Sequence, residues 1–169
     1  MRALFLLLLL TTTAHAEITI GAVLSLTGPG AGLGIPERNT IELLPVTIAG
    51  EKVRWVVLDD ASDTTAAVRA ARKLIEEDHV DAIMGPSTTP NSIALLDVIG
   101  ATGVPMISLA GSSAVNEPPE GNRRWAFKLI PSERVATVQI VDHMLRTPTR
   151  WRSACFTARW GGSCGNSAS

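Results

Sequence analysis

Residues 52–85 read KVRWVVLDDASDTTAAVRAARKLIEEDHVDAIMG. The first nine residues are rich in β-branched and apolar types and predict a strand over 52–60. Next comes a helix, which Asp63 or Ser62 can cap. Its Ala67, Ala70, Ala71, Leu74 and Ile75 form one apolar stripe at helical spacing. The stretch closes on VDAIMG, residues 80–85, which predicts another strand. A strand, an amphipathic helix and a second strand make the unit that builds parallel sheets.

The same alternation extends in both directions. Upstream, EITIGAVLSL (17–26) reads as a buried strand, and PERNTIELL (36–44) as a short helix with proline at its start and Pro45 as its stop. Downstream, STTPNSIALLDVIGATG (87–103) opens on capping residues and then has helical periodicity. VPMISLA (104–110) and RRWAFKLI (123–130) predict two more strands. PSERVATVQIVDHMLR predicts a last helix capped at Ser132, with Val135, Val138, Val141 and Leu145 on the side expected to face the sheet. Regular alternation from 17 to 146 predicts one α/β lobe, a central parallel sheet between two helical layers. Ligands of such sheets lie beyond the carboxyl ends of the strands. Those ends are the loops at 27–35, 59–63, 86–91 and 109–117.

Outside this region lie two different segments. MRALFLLLLLTTTAHA (1–16) has an early arginine, a short apolar run and a terminal A-x-A, the pattern of a secretory signal peptide. The run is too short to span a bilayer, which takes about 20 residues. At the other end, TPTRWRSACFTARWGGSCGNSAS (147–169) has no Ile, Leu, Val or Met and no acid. A buried parallel strand cannot be written from it. The abrupt change is expected of a frameshifted or truncated reading frame, with an intrinsically disordered tail as the alternative. Both cysteines, Cys155 and Cys164, fall here, either paired after export or as unpaired passengers. The formal net charge of −1 leaves no basic stripe for nucleic acid.

The glycine-rich TGPGAGLGIP (27–36) after a strand raises a phosphate cradle as one reading. Both phosphate motifs fail there. A G-x-G-x-x-G starting at Gly28 would need glycine where Leu33 stands, and one starting at Gly30 would need it at Ile35. No lysine lies between Glu17 and Lys52, which excludes a P-loop. Only Asp59 and Asp60, acids at a strand end, keep a ribose-binding reading in play. The glycines instead predict a tight turn or a close backbone approach.

Two polar loops stand beside it. GPSTTPNS (85–92) brings Ser87, Thr88 and Thr89 to the mouth of a helix, where hydroxyls and free N–H groups suit a carboxylate. SLAGSSAVNEPPEG (108–121) offers hydroxyls and carbonyls, and carbonyls accept from an ammonium group. For each loop, plain helix capping is an equal alternative. No G-x-S-x-G elbow occurs, nothing beside Asp59 and Asp60 supplies a nucleophile, and no metal-ligand spacing is present, so neither an enzyme nor a bound cofactor is expected.

IGAVLSLTGPGAGLG, VVLDDASDTTAAVRAARKLI, IMGPSTTPNSIALLDV and VPMISLAGSS together resemble the amino-terminal lobe of the periplasmic binding proteins for leucine, isoleucine and valine, collinear from about residue 18 to 146. The resemblance implies a flavodoxin-like strand order and one lobe of a two-lobed, hinged trap. It also implies a periplasmic, non-enzymatic receptor that passes a small amino acid or related carboxylate to an ABC permease. Carried over by motif, Ser87 or Thr88 matches the carboxylate-binding loop. Ala110 matches a backbone contact to the amino acid, and Ser112 a neighbouring hydroxyl contact. Leu33 stands where relatives often close an aromatic ring over the ligand. Ser62 replaces a cysteine that forms a disulfide in some relatives, and its partner cysteine near residue 86 is also missing. A ligand-sensing domain of the same fold is the alternative to import, and a nucleotide-dependent enzyme is the more distant one.

Overall fold

The structure is a computed structural model and describes residues 17–146. The expected leader, the irregular tail and both cysteines lie outside the described residues. The chain falls into two compact units that part between Pro131 and Ser132.

The first unit contains a six-stranded sheet. In chain order it runs β1 (Ile18–Leu24), α1 (Ala31–Ile41), β2 (Thr47–Ile48), β3 (Glu51–Asp59), α2 (Thr64–Glu76), β4 (Ala82–Met84), α3 (Thr89–Ala94), α4 (Leu96–Thr102), β5 (Met106–Ser108) and β6 (Ala126–Lys128). Short 3₁₀ turns at Ser113–Val115 and Gly121–Trp125 connect the last two strands. The strand order is β2-β3-β1-β4-β5-β6. Without the β2 hairpin this is the flavodoxin-like order expected from the resemblance. β1 lies at the centre, parallel to β3 on one side (Ile20 opposite Trp55) and to β4 on the other (Ile20 opposite Ala82).

Alternation along β1 divides the core. Val23 faces a layer built by Ala67, Ala70, Ala71 and Leu74 of α2 and Val98 and Ile99 of α4. Ala22 and Leu24 point the other way, toward Ile41 of α1. The predicted α2 stripe is thus the buried one, with Ile75 at its margin. Asp63, rather than Ser62, caps it, accepting from Ala66 N–H at 2.8 Å. Over β5 and β6 the α1 face is thinly covered, and Ile107 and Phe127 remain 37% and 53% exposed.

Three local expectations change. β2 was not foreseen, because two exposed residues carry no alternation to read. It pairs antiparallel with β3 through a turn in which Ala49 and Gly50 both have positive φ. The helix expected over 87–103 breaks at Leu95 into α3 and α4, and the second piece ends on left-handed Gly103. The third change concerns the glycine stretch. Half of it is not a loop but the start of α1, with Pro36 inside the helix. Proline there gives up the bond its own N–H would make and crowds the carbonyl of Gly32, four residues back. Gly34 explains the advantage: a Cβ on it would stand 2.2 Å from the Ser25 carbonyl oxygen, so only glycine lets α1 lie against the end of β1. Gly85, at φ +97°, makes a similar approach to the Val23 carbonyl.

The second unit is described by its helix, α5 (Glu133–Arg146). Ser132 accepts from Arg134 N–H at its start, at 3.4 Å. Val135, Val138, Val141 and Leu145, the side expected to face the sheet, all lie on this helix.

Gly34→Ala should lower stability by about 2 kcal/mol through this backbone clash. Gly32→Ala, in the same helix but with open space around it, should be neutral or gain up to about 1 kcal/mol from helix propensity. Urea unfolding followed by far-UV circular dichroism checks both.

Candidate functional site

Because β1, β3, β4 and β5 are parallel, their carboxyl ends share one edge of the sheet. The loops that follow them are tied together by buried polar groups. Asp60 is fully buried. Its carboxylate accepts from Ser25 Oγ at 2.7 Å, Ser62 N–H at 2.8 Å and Asn91 Nδ2 at 2.7 Å. Asp59, more exposed, accepts from the N–H groups of Leu26 (2.9 Å), Thr27 (3.2 Å) and Ala61 (2.8 Å) and from Thr27 Oγ1 (2.7 Å). Slight burial pushes Asp59 upward, but these bonds outweigh it and hold the carboxyl below its ordinary 3.8. Both acids that kept a ribose-binding reading in play are therefore engaged with the protein itself. Ser62 joins the same loops, donating to the Thr27 carbonyl at 2.8 Å and accepting from Gly30 N–H at 2.9 Å.

The five expected ligand residues have different settings. Ser87 is buried; its Oγ accepts from Ser25 N–H at 3.1 Å and donates to Glu37 Oε2 at 2.5 Å. Thr88 precedes α3 without capping it by its side chain, and is half-buried. Ala110 is buried, and its N–H is given to Ser108 Oγ at 3.1 Å. Ser112 Oγ accepts from Ala114 N–H at 3.3 Å, so it caps the 3₁₀ turn. Leu33, on α1, is 55% exposed.

Glu37 was not singled out by its place in the sequence. It sits on α1, pointing its carboxyl at Ser87 in a loop 50 residues away. Burial holds its pKa above the usual carboxylate value; the Ser87 bond opposes this and the nearby Asp60 charge adds to it. No periodicity would have revealed it, since the contact depends on where Gly34 sets α1. Glu37 also borders a mainly apolar cleft of about 390 Å³, with Ile41, Leu44, Met84, Leu109, Leu129 and Ile130. None of the five expected residues lines that cleft. Among the described residues no group of three or more His, Cys, Asp or Glu stands together to hold a metal ion.

Comparison with known proteins agrees with this architecture. Residues 17–161 match the periplasmic binding protein family, and the chain belongs to that family. A Leu/Ile/Val-binding protein, BraC3 of Rhizobium johnstonii, is 36% identical over 101 residues, covering 56% of this chain and 27% of that protein. The crystal structure of an extracellular ligand-binding receptor from Rhodopseudomonas palustris HaA2 superposes with a TM-score of 0.75 at 38% identity, over 79% of this chain and 37% of the receptor. A solute binding protein of an ABC transporter from R. palustris BisB5, in complex with 3,4-dihydroxy benzoic acid, superposes at 0.61 with 28% identity, over 66% of this chain and 31% of its own. The chain thus spans about a quarter of the curated relative and about a third of the solved ones.

A carboxyl held below its unfolded value favours folding above that value, and the benefit disappears as pH falls through the folded value. Removing it in Asp59→Asn should lower the melting temperature near neutral pH. The gap between variant and wild type should close as pH drops below 3.8. Thermal melts from pH 7 to 2.5 check this; a gap that is constant with pH would refute the electrostatic account.

Proposed function

We propose that this chain is the amino-terminal ligand-contacting lobe, residues 17–146, of an exported receptor that captures a small amino acid or related carboxylate for an ABC permease. The observation that carries this reading is the convergence of the loops after β1, β4 and β5 at one sheet edge, in a chain of the periplasmic binding protein family. The names of relatives support the ligand class, one being a Leu/Ile/Val-binding protein and another holding 3,4-dihydroxy benzoic acid. Residues 1–16 serve as the export signal, and the receptor works in the periplasm.

In this reading Ser87 and Thr88 receive the ligand carboxylate. The carbonyl of Ala110 and the hydroxyl of Ser112 receive its polar neighbour, and Leu33 stands at the rim over its apolar part. The role is binding rather than catalysis, and no cofactor takes part. A single lobe supplies one wall of the trap, so most of a small ligand's surface stays in water.

The 169-residue chain should therefore bind leucine or 3,4-dihydroxybenzoate only in the millimolar range, about −4 kcal/mol. Ser87→Ala should weaken that further. Heteronuclear NMR titration checks both: shifts confined to residues 85–88 and 109–112 are expected. Nanomolar to micromolar affinity would overturn the one-wall account, and saturable shifts elsewhere would overturn the site.

A further inference from the structure

The Ser87 hydroxyl has one proton to give. Its oxygen is already fixed by Ser25 N–H at 3.1 Å, and the proton is directed to Glu37 Oε2. A ligand carboxylate at Ser87 would need that same proton. It would also meet the charge of Glu37, with buried Asp60 close by.

We propose that Glu37 is a specificity-determining residue that competes with the ligand: its carboxyl occupies the donor of Ser87 and must withdraw before a ligand carboxylate can bind. This rests on the reading of Ser87 as a carboxylate anchor. The two acids beside Ser87 differ in how free they are to move. Asp60 is fully buried and held by three donors from three segments. Glu37 is only partly buried, on a surface helix, and Ser87 is its one donor among the described residues. Glu37 is thus the side chain able to yield. Burial first, and the Asp60 charge after it, raise the Glu37 pKa, so its surroundings disfavour negative charge. A plain carboxylate gains only what it takes from Glu37. A ligand that also carries an ammonium or hydroxyl donor can give the displaced Glu37 a new partner. The arrangement therefore favours amino and hydroxy acids over simple carboxylates.

The test uses the 169-residue chain with acetate as the probe, read by NMR at the amides of Ser87 and Thr88. Glu37→Ala should tighten acetate binding at these amides at least fivefold. Glu37→Gln, which keeps an acceptor but removes the charge, should tighten it at least twofold, and it stands in if the alanine variant does not fold. Affinity within twofold of wild type in both folded variants, or weaker, would overturn the competition. So would the absence of any acetate response at Ser87 in wild type and variants alike. Leucine titrated in parallel reads the proposed function separately. If acetate tightens as expected while leucine shifts nothing at these loops, the competition stands and the amino-acid receptor reading fails.

Discussion

A carboxylate buried at the end of the second long strand has to be satisfied, and much of the loop-bearing edge of the sheet is organised by how that is done. Burying an unpaired charge costs far more than a domain's net stability margin allows. Asp60 meets the demand with donors from the β1 loop, its own loop and α3. Each donor comes from a different segment, so the bonds that satisfy the charge also fix the spacing of the loops. Asp59 does the same for the backbone of the β1 loop from the exposed side. The adjacent acids that resemble a cofactor-binding signature thus serve as staples. Ser62 completes the set, tying the loop after β3 to the loop after β1.

The second constraint is steric. Two glycines let main chain approach main chain at the carboxyl end of β1, one from α1 and one from the β4 loop. The approach of α1 brings Glu37 to Ser87, so the packing requirement at Gly34 sets the chemistry about one turn away from it. The rim of the proposed ligand site consequently has a negative group where a purely motif-based reading has only hydroxyls. The apolar cleft beside Glu37 and the thin cover over Ile107 and Phe127 lie on this same α1 face. Parallel sheets are ordinarily covered on both sides, and within the first unit that layer is filled over β1 and β3 but not over β5 and β6.

Much of this was legible in the residues. The α2 stripe, the strand runs and the turn residues between them have periods that follow from backbone geometry alone, so they specify a parallel α/β lobe without any knowledge of contacts. Asp63 as a cap and Ser132 before the last helix are local for the same reason. The loops carrying Ser87, Thr88, Ala110 and Ser112 could be placed at one sheet edge, because right-handed crossovers leave little choice.

Tertiary structure alone decided the rest. A glycine run reads as a turn until the neighbouring strand is present to reward a helix that packs without side chains. The two-residue β2 exists only because β3 offers it an edge. The burial of Asp60 against Asn91 and the engagement of Ser87 by Glu37 each join residues whose separation along the chain carries no period. Burial and partner choice are properties of the assembled lobe, whereas periodicity and capping are properties of the chain. The sequence therefore determined the fold class and which loops share one sheet edge, while the packed structure decided which polar groups there are already engaged with one another.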